Sequence, residues 1–549
     1  MLHPKLISEI AVVVLLIFVA FLISLHLPGF EWETDYGHYY YISMFNDGNK
    51  EFYNDFFIHK GPVAIFVLDI VGFLIGYGWK QSIISYFAAI ILLISSFYFF
   101  IRYETKNLFL LILSFIFFFT FFRNQGSNIY IELILNSFLF LSLIFFKKYI
   151  QTSKANYLYL FIFLYSLSIY TRIDAIIYTI VFFIIFIIYI LRENKIKELN
   201  IFFFIKFLAL SFIVLIIFSF FYNFSFNDFL INNVYFNIEY GNSEDYLKFR
   251  NLDLIFHLTP NKILTSVLII KALFYFFEKF DLNKRYNYLL VLISIIQAII
   301  YLKKLNYVYL FNLIYFFEIL TLLFIFFKKK KYSNYNLLIA VLLNFSSIFI
   351  FLYSGSLKIN HIFMLLFGYC VFFIFFVKFL FDKKFKFKRI IIFIFIILNL
   401  DQVDKIYSSI KNPIINNEYI KIENGLQNFF YDPKYINENE VVNKIGELNT
   451  PVICDRGWLH VFNEKISNGF MLDWWFYDDH HKIKRKDNVE NLVNDIIDKH
   501  YSNYFLIEKE CVENKRFSEN YLIKKIINNS NFKDEISFFK INYQLRKIN

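Results

Sequence analysis

The chain has 549 residues, of which 58% are hydrophobic and only 18% charged, with a formal net charge of +11. Soluble domains run at ~45–50% apolar and ~25% charged, so this composition excludes an ordinary water-soluble globule. The basic excess lies in short clusters between apolar runs, as in the loops on one side of a membrane protein, so nucleic acid is discounted as a partner.

Apolar stretches recur from Ile7 to about Leu400, and ~20 such residues cross a bilayer as a helix. The first, 7–27, is followed by "HLPGFEWETDY", which offers no small-residue cleavage site. It is expected to remain as a signal anchor. Further spans are predicted at 81–101, 107–122, 129–146, 157–171, 174–191, 201–222, 262–278, 286–302, 305–327, 335–353, 361–380 and 390–400, giving an all-α polytopic protein of about 13 transmembrane helices. With the N-terminus inside, the clusters Lys147–Lys148 with Lys154, Arg192–Lys197, Lys279–Arg285, Lys328–Lys331 and Lys383–Arg389 all fall inside. The loops 28–60 and 223–260 and the tail after Asp401 then fall outside.

Residues 61–78, "GPVAIFVLDIVGFLIGYG", are also apolar. Counting them as a crossing would put the basic clusters outside, so the stretch is predicted to be re-entrant or interfacial, or else another span nearby does not cross. Its Asp69, Gly72, Gly76 and Gly78 suit burial against protein rather than lipid. The 223–260 segment interleaves polar and aromatic residues, as a loop with a short amphipathic piece lying on the membrane would. Beyond Asp401 the apolar runs shorten to strand length. "TPVICD", "NYFLIE" and "FFKINYQ" read as strands, and "NVENLVNDIIDKH" as a helix. Two domains follow: a membrane domain over 1–400 and a small extracytoplasmic α/β domain over 401–549. The three cysteines, Cys370, Cys454 and Cys511, form neither a CxxC motif nor a zinc site; Cys454 and Cys511 can pair in an oxidising compartment.

Chemistry concentrates in the first loop. Asp35 and His38 lie just beyond the first span, and Lys60 follows 25 residues after Asp35, where apolar sequence resumes. A carboxylate at this depth can serve as a general base toward a hydroxyl, and an ammonium can hold a phosphate as a point charge. The alternative is a solvated acidic loop. In "RNQGSNIYIEL", Ser127 or Asn128 can cap a helix whose positive end favours Glu132. In "TRIDA", Arg172 can contact a phosphate, pair with Asp174 or anchor at headgroups. In "SGSLKINHIFMLLF", His361 can contact phosphate or sugar, or cap a helix. Asn237, Tyr240 and Arg250 are acceptor or phosphate candidates in the 223–260 loop. The tail's "GFMLDWWFYDDHH" matches no metal-site spacing; its Trp474 and Trp475 suit packing or the membrane interface.

The stretch "TDYGHYYYISMFNDGNKEFYNDFFIHKGP" resembles the first external loop of the GT-C superfamily of membrane glycosyltransferases, through Asp35, then Gly48, Tyr53 and Asp55, then His59, Lys60 and Pro62. It is most similar to the protein O-mannosyltransferase and aminoarabinose transferase-like branches; the latter have Glu-Lys-Pro-Pro where this chain has "HKGP". Gly126, Asn128 and Glu132 match a second family loop, and Ser354, Gly355 and His361 echo a late one. The resemblance implies a GT-C-like fold and transfer of a sugar, with inversion, from a polyprenyl-phosphate-linked donor to a hydroxyl acceptor on a glycan, lipid or protein. Asp35 would be the general base. Lys60, Arg172 and His361 would face the donor phosphate. His38, Asp55, His59, Asn128, Glu132, Tyr240 and Arg250 would line the substrates. No cofactor or metal is expected, because a singly charged phosphodiester needs little neutralisation. The expected location is the cytoplasmic (inner) membrane, multi-pass, with the active site outside. Two departures stand out: Tyr36 replaces the family's second acid, and His59 an acidic residue. The alternatives are a polysaccharide polymerase, ligase or flippase, or a non-catalytic GT-C-like binding protein.

Overall fold

The structure, a computed structural model, describes residues 11–19, 39, 42–43, 52–53, 60–76, 79–122, 129–192, 201–235, 272, 275, 284–302, 314, 317–324, 335–353, 363–382, 452–455, 472–473, 494, 497–498, 503–513, 521–538 and 541–549. It is mostly helical, with a small C-terminal sheet. The helices are α1 (Val63–Ile75), α2 (Trp79–Glu104), α3 (Leu108–Phe122), α4 (Tyr130–Thr152), α5 (Ala155–Thr171), α6 (Ile177–Arg192), α7 (Ile201–Tyr222), α8 (Phe226–Phe229), α9 (Lys284–Leu302), α10 (Tyr335–Tyr353) and α11 (Phe363–Asp382). A 3-10 turn, Ile173–Ile176, precedes α6, and a π-helical segment, Leu230–Tyr235, follows α8.

Among the described residues, four segments are long and apolar enough to cross a membrane: Ile84–Glu104, Tyr130–Thr152, Ile173–Leu191 and Phe203–Tyr222. The predicted spans at 390–400 and 262–278 fall wholly or largely outside the described residues. At 13 residues, α1 is ~20 Å long against a hydrocarbon core of ~30 Å. It stops at Gly76, whose φ of 89° only glycine adopts freely and whose N–H closes on Gly72 O.

The chain divides into two units. The first comprises Met1–Leu27, Phe87–Ile216 and Glu244–Lys411. Its central helix is α4, most of whose side chains are buried. In lipid no hydrophobic drive brings helices together, so van der Waals packing and interhelical hydrogen bonds must. The phenylalanines supply the first: Phe97 stacks on Phe118 with ring centroids 4.4 Å apart, Phe117 on Phe373 at 4.4 Å, and Phe186 on Phe203 at 3.9 Å. Serines are tolerated because they return their hydroxyls to the helix, as from Ser114 to Leu110 O (2.7 Å) and Ser137 to Leu133 O (2.6 Å). Others bridge helices: Ser347 Oγ of α10 accepts from the Gly368 N–H of α11 at 3.0 Å and lies 2.7 Å from Tyr178 OH of α6.

The second unit comprises Pro28–Tyr86, Ile217–Ser243 and Asn412–Asn549. Its sheet has strands β1 (Val452–Asp455), β2 (Leu472–Asp473), β3 (Tyr504–Glu508), β4 (Ser530–Phe538) and β5 (Ile541–Ile548), in the order β2-β1-β3-β5-β4. β1 runs parallel to β2 and β3, while β5 is antiparallel to β3 and β4. The "FFKINYQ" stretch read as one strand is instead the junction of two: Phe538 ends β4 and Ile541–Gln544 begin β5. Both flanks have strand-like composition, so a reading by pattern runs the two strands together. A helix, Tyr521–Asn528, buries Ile523 and Ile526 beside the sheet. Cys511 is disulfide-bonded, whereas Cys370 is free and buried.

Candidate functional site

In the second unit, the first loop and the segment after α7 are fastened together. Phe52 N–H donates to Tyr222 O at 3.3 Å, and its ring lies 4.7 Å from the Tyr222 ring. Tyr53 is fully buried. Its ring meets Phe224 edge-on at 5.0 Å, and its hydroxyl accepts from Asn233 Nδ2 at 2.8 Å and reaches Lys60 O at 3.5 Å. Buried hydroxyls and amides cost free energy unless paired, so these bonds fix the register of the two segments. They set Lys60, itself buried, at the entry to α1, where Pro62 caps the helix and its carbonyl accepts from Phe66 N–H at 2.9 Å.

Seven residues on from Pro62, the α1 carboxylate of Asp69 takes hydrogen bonds from Ser43 Oγ and, at 2.5 Å, from Tyr222 OH. Gln81 Nε2 donates to Ser43 Oγ and to Leu68 O, each at 2.9 Å. Gln81 Oε1 and Ser85 Oγ, one helical turn apart on α2, are buried without a hydrogen-bond partner among the described residues. Sequence reasoning placed Asp69 against protein but missed its role in joining the first loop, α1 and the end of α7. The signal was present as a lone acid in an apolar run.

In the first unit, Arg172 sits in extended conformation (φ −152°) between α5 and the 3-10 turn. It is 2% exposed. Its Nη1 donates to Glu132 Oε1 at 2.6 Å and its Nε to Asp174 Oδ2 at 2.8 Å. Glu132 lies in the first turn of α4 and Asp174 in the first turn of the 3-10 segment, both at positive helix ends. The structure therefore brings Arg172 and Glu132 together as an ion pair. Asn136 Nδ2, one turn beyond Glu132, donates to Phe363 O at 3.0 Å and ties α4 to the start of α11.

A further buried carboxylate went unnoticed in the sequence. Glu318 is fully buried and accepts from Tyr275 OH at 2.5 Å and Gln297 Nε2 at 2.9 Å. An acid inside the predicted span 305–327 was the available sign.

Of the residues singled out in the sequence, Lys60, Glu132 and Arg172 are described; Asp35, His38, Asp55, His59, Asn128, Tyr240, Arg250 and His361 lie outside the described residues. Among the described residues no group of three or more His, Cys, Asp or Glu is placed to hold a metal. No family model, no curated protein and no solved structure matches the chain.

Proposed function

We propose that the protein is an integral membrane glycosyltransferase that moves a sugar from a polyprenyl-phosphate-linked donor to a hydroxyl acceptor. The observation that carries this reading is the fastening of the Asp35-to-Lys60 loop, through Tyr53 and Phe52, onto the segment that follows α7. A solvated acidic loop has no need of such a buried anchor. It is the arrangement expected of a site built from two loops on a rigid helical scaffold.

In this reading Asp35 accepts the acceptor's hydroxyl proton as that oxygen bonds to the anomeric carbon. The bond from that carbon to the phosphate oxygen breaks, and polyprenyl phosphate leaves with inverted product. Lys60, with its charge at the mouth of α1, stabilises the phosphate, most strongly where water is excluded. Holding donor and acceptor together supplies much of the remaining acceleration. Four long apolar segments support an environment suited to a lipid-linked donor. The disulfide at Cys511 supports an oxidising, external location for the tail.

The test is turnover in vesicles. The purified protein, reconstituted with a panel of radiolabelled polyprenyl-phosphate sugars, should release free polyprenyl phosphate from at least one of them when acceptor is added. Movement of intact donor between leaflets without cleavage would favour a flippase. Donor retention without either would favour a binding protein.

A further inference from the structure

A second charged constellation lies within the first unit, at the ends of α2, α4 and α11. Glu104, the last residue of α2, accepts from Lys147 of α4 and, at 3.3 Å, from Lys378 of α11. One carboxylate between two ammonium groups leaves a positive charge over. Tyr103 OH donates to Gln151 Oε1 at 2.9 Å, which brings the turn after α2 beside the turn after α4. Those turns add Lys106 and Lys154, both exposed.

The same helix ends carry two more cations, Arg102 in the last turn of α2 and Lys148 near the end of α4. Among the described residues Arg102 bonds to neutral oxygens, Tyr98 OH at 3.2 Å and Lys106 O at 3.3 Å. The Lys148 ammonium lies 5.5 Å from the ring centroids of Phe145 and Tyr157 and 5.8 Å from that of Tyr103. Among the described residues neither has a carboxylate partner. The rings hold the Lys148 ammonium by cation–π attraction without cancelling its charge.

Depth identifies what cancels it. The apolar segments Ile84–Glu104 and Tyr130–Thr152 both end at this constellation, and the ends of segments of that length and composition suit the level where hydrocarbon gives way to headgroups. Tyrosines are favoured at that level. We propose that the joined ends of α2, α4 and α11 bind the phosphate headgroup of an anionic phospholipid, with Arg102 and Lys148 as its main contacts and the Lys147–Glu104–Lys378 cluster as its wall. Basic pockets between membrane helices take such headgroups by charge. The site is independent of the proposed transferase activity.

The test uses the full chain in nanodiscs of mixed phosphatidylglycerol and phosphatidylcholine, with spin-labelled lipids reporting which headgroup is held at the protein surface. Wild type should retain the phosphatidylglycerol label over the phosphatidylcholine label. Each of Arg102→Gln and Lys148→Gln should cut that preference by about fivefold, while Lys524→Gln, on the tail helix Tyr521–Asn528, leaves it intact. Equal retention of the two labels by wild type would overturn the proposal without recourse to any variant. So would an unchanged preference in Arg102→Gln/Lys148→Gln. Displacement of the label by millimolar inorganic phosphate at constant ionic strength would assign the site to free phosphate and overturn the lipid assignment.

Discussion

Tyr222, the last residue of α7, donates its hydroxyl to the Asp69 carboxylate of α1 at 2.5 Å. The bond joins residues 153 positions apart, and Ser43 from the first loop closes on the same carboxylate. Asp69 is therefore the post to which the loop carrying Lys60 and the segment carrying Asn233 are both tied.

Tyr222→Phe keeps the ring packing against Phe52 and removes only the donor. Withdrawing one hydrogen bond from a partly buried carboxylate costs about 1–3 kcal/mol. The purified variant should melt at lower temperature in detergent, whereas Phe220→Leu, on an exposed face of the same helix, should not. Equal melting of Tyr222→Phe and wild type would show that the bond contributes nothing.

Arg172 carries two competing assignments, and a pair of variants separates them. Arg172→Met takes the guanidinium away from buried Glu132, a loss of about 3–5 kcal/mol for a broken buried pair. Arg172→Met/Glu132→Leu removes both charges and should recover most of that loss. With stability restored, donor use decides when read against Glu132→Gln alone: a donor KM raised beyond that of Glu132→Gln assigns Arg172 to the phosphate, and an equal KM confines it to the ion pair.

Gly368 sets how closely α10 and α11 approach. A β-carbon there would meet Ser347 Oγ, Leu343 O at 2.5 Å and Asn344 Cα at 2.9 Å. Gly368→Ala must push the helices apart, at about 1–3 kcal/mol for an overpacked contact. Adding Ser347→Gly removes the flexible obstacle but not the Leu343 carbonyl, so the double variant should not recover. Thermal melting checks both; full rescue would mean that only the serine side chain blocks the space.

The disulfide gives a prediction in mass. Denatured without reductant, the protein should take up alkylating reagent at Cys370 alone; after reduction, Cys454 and Cys511 should react as well. Alkylation of Cys511 without reductant would contradict the bond.

The helices were readable in the sequence where apolar runs were bounded by polar turns. The predicted 201–222, 335–353 and 107–122 correspond to Ile201–Tyr222, Tyr335–Tyr353 and Leu108–Phe122. α4 runs to Thr152, past the predicted 146, because Lys147 and Lys148 continue the helix while pairing with Glu104 and with aromatic rings. Hydropathy alone stops a span at its first charge. Arg172 and Asp174 were legible as a pair from their spacing, but Glu132 is 40 residues away and only the packing of α4 against α5 brings it in. The Asp69 network was hidden for the same reason: its partners come from three separate stretches of chain.

The central claim is that the first loop performs glycosyl transfer with Asp35 as its base. The most direct test is the rate of polyprenyl phosphate release in reconstituted vesicles by wild type and Asp35→Asn, matched for melting temperature. Wild type should release polyprenyl phosphate in an acceptor-dependent way, and Asp35→Asn should release none. Release by Asp35→Asn at the wild-type rate would contradict it.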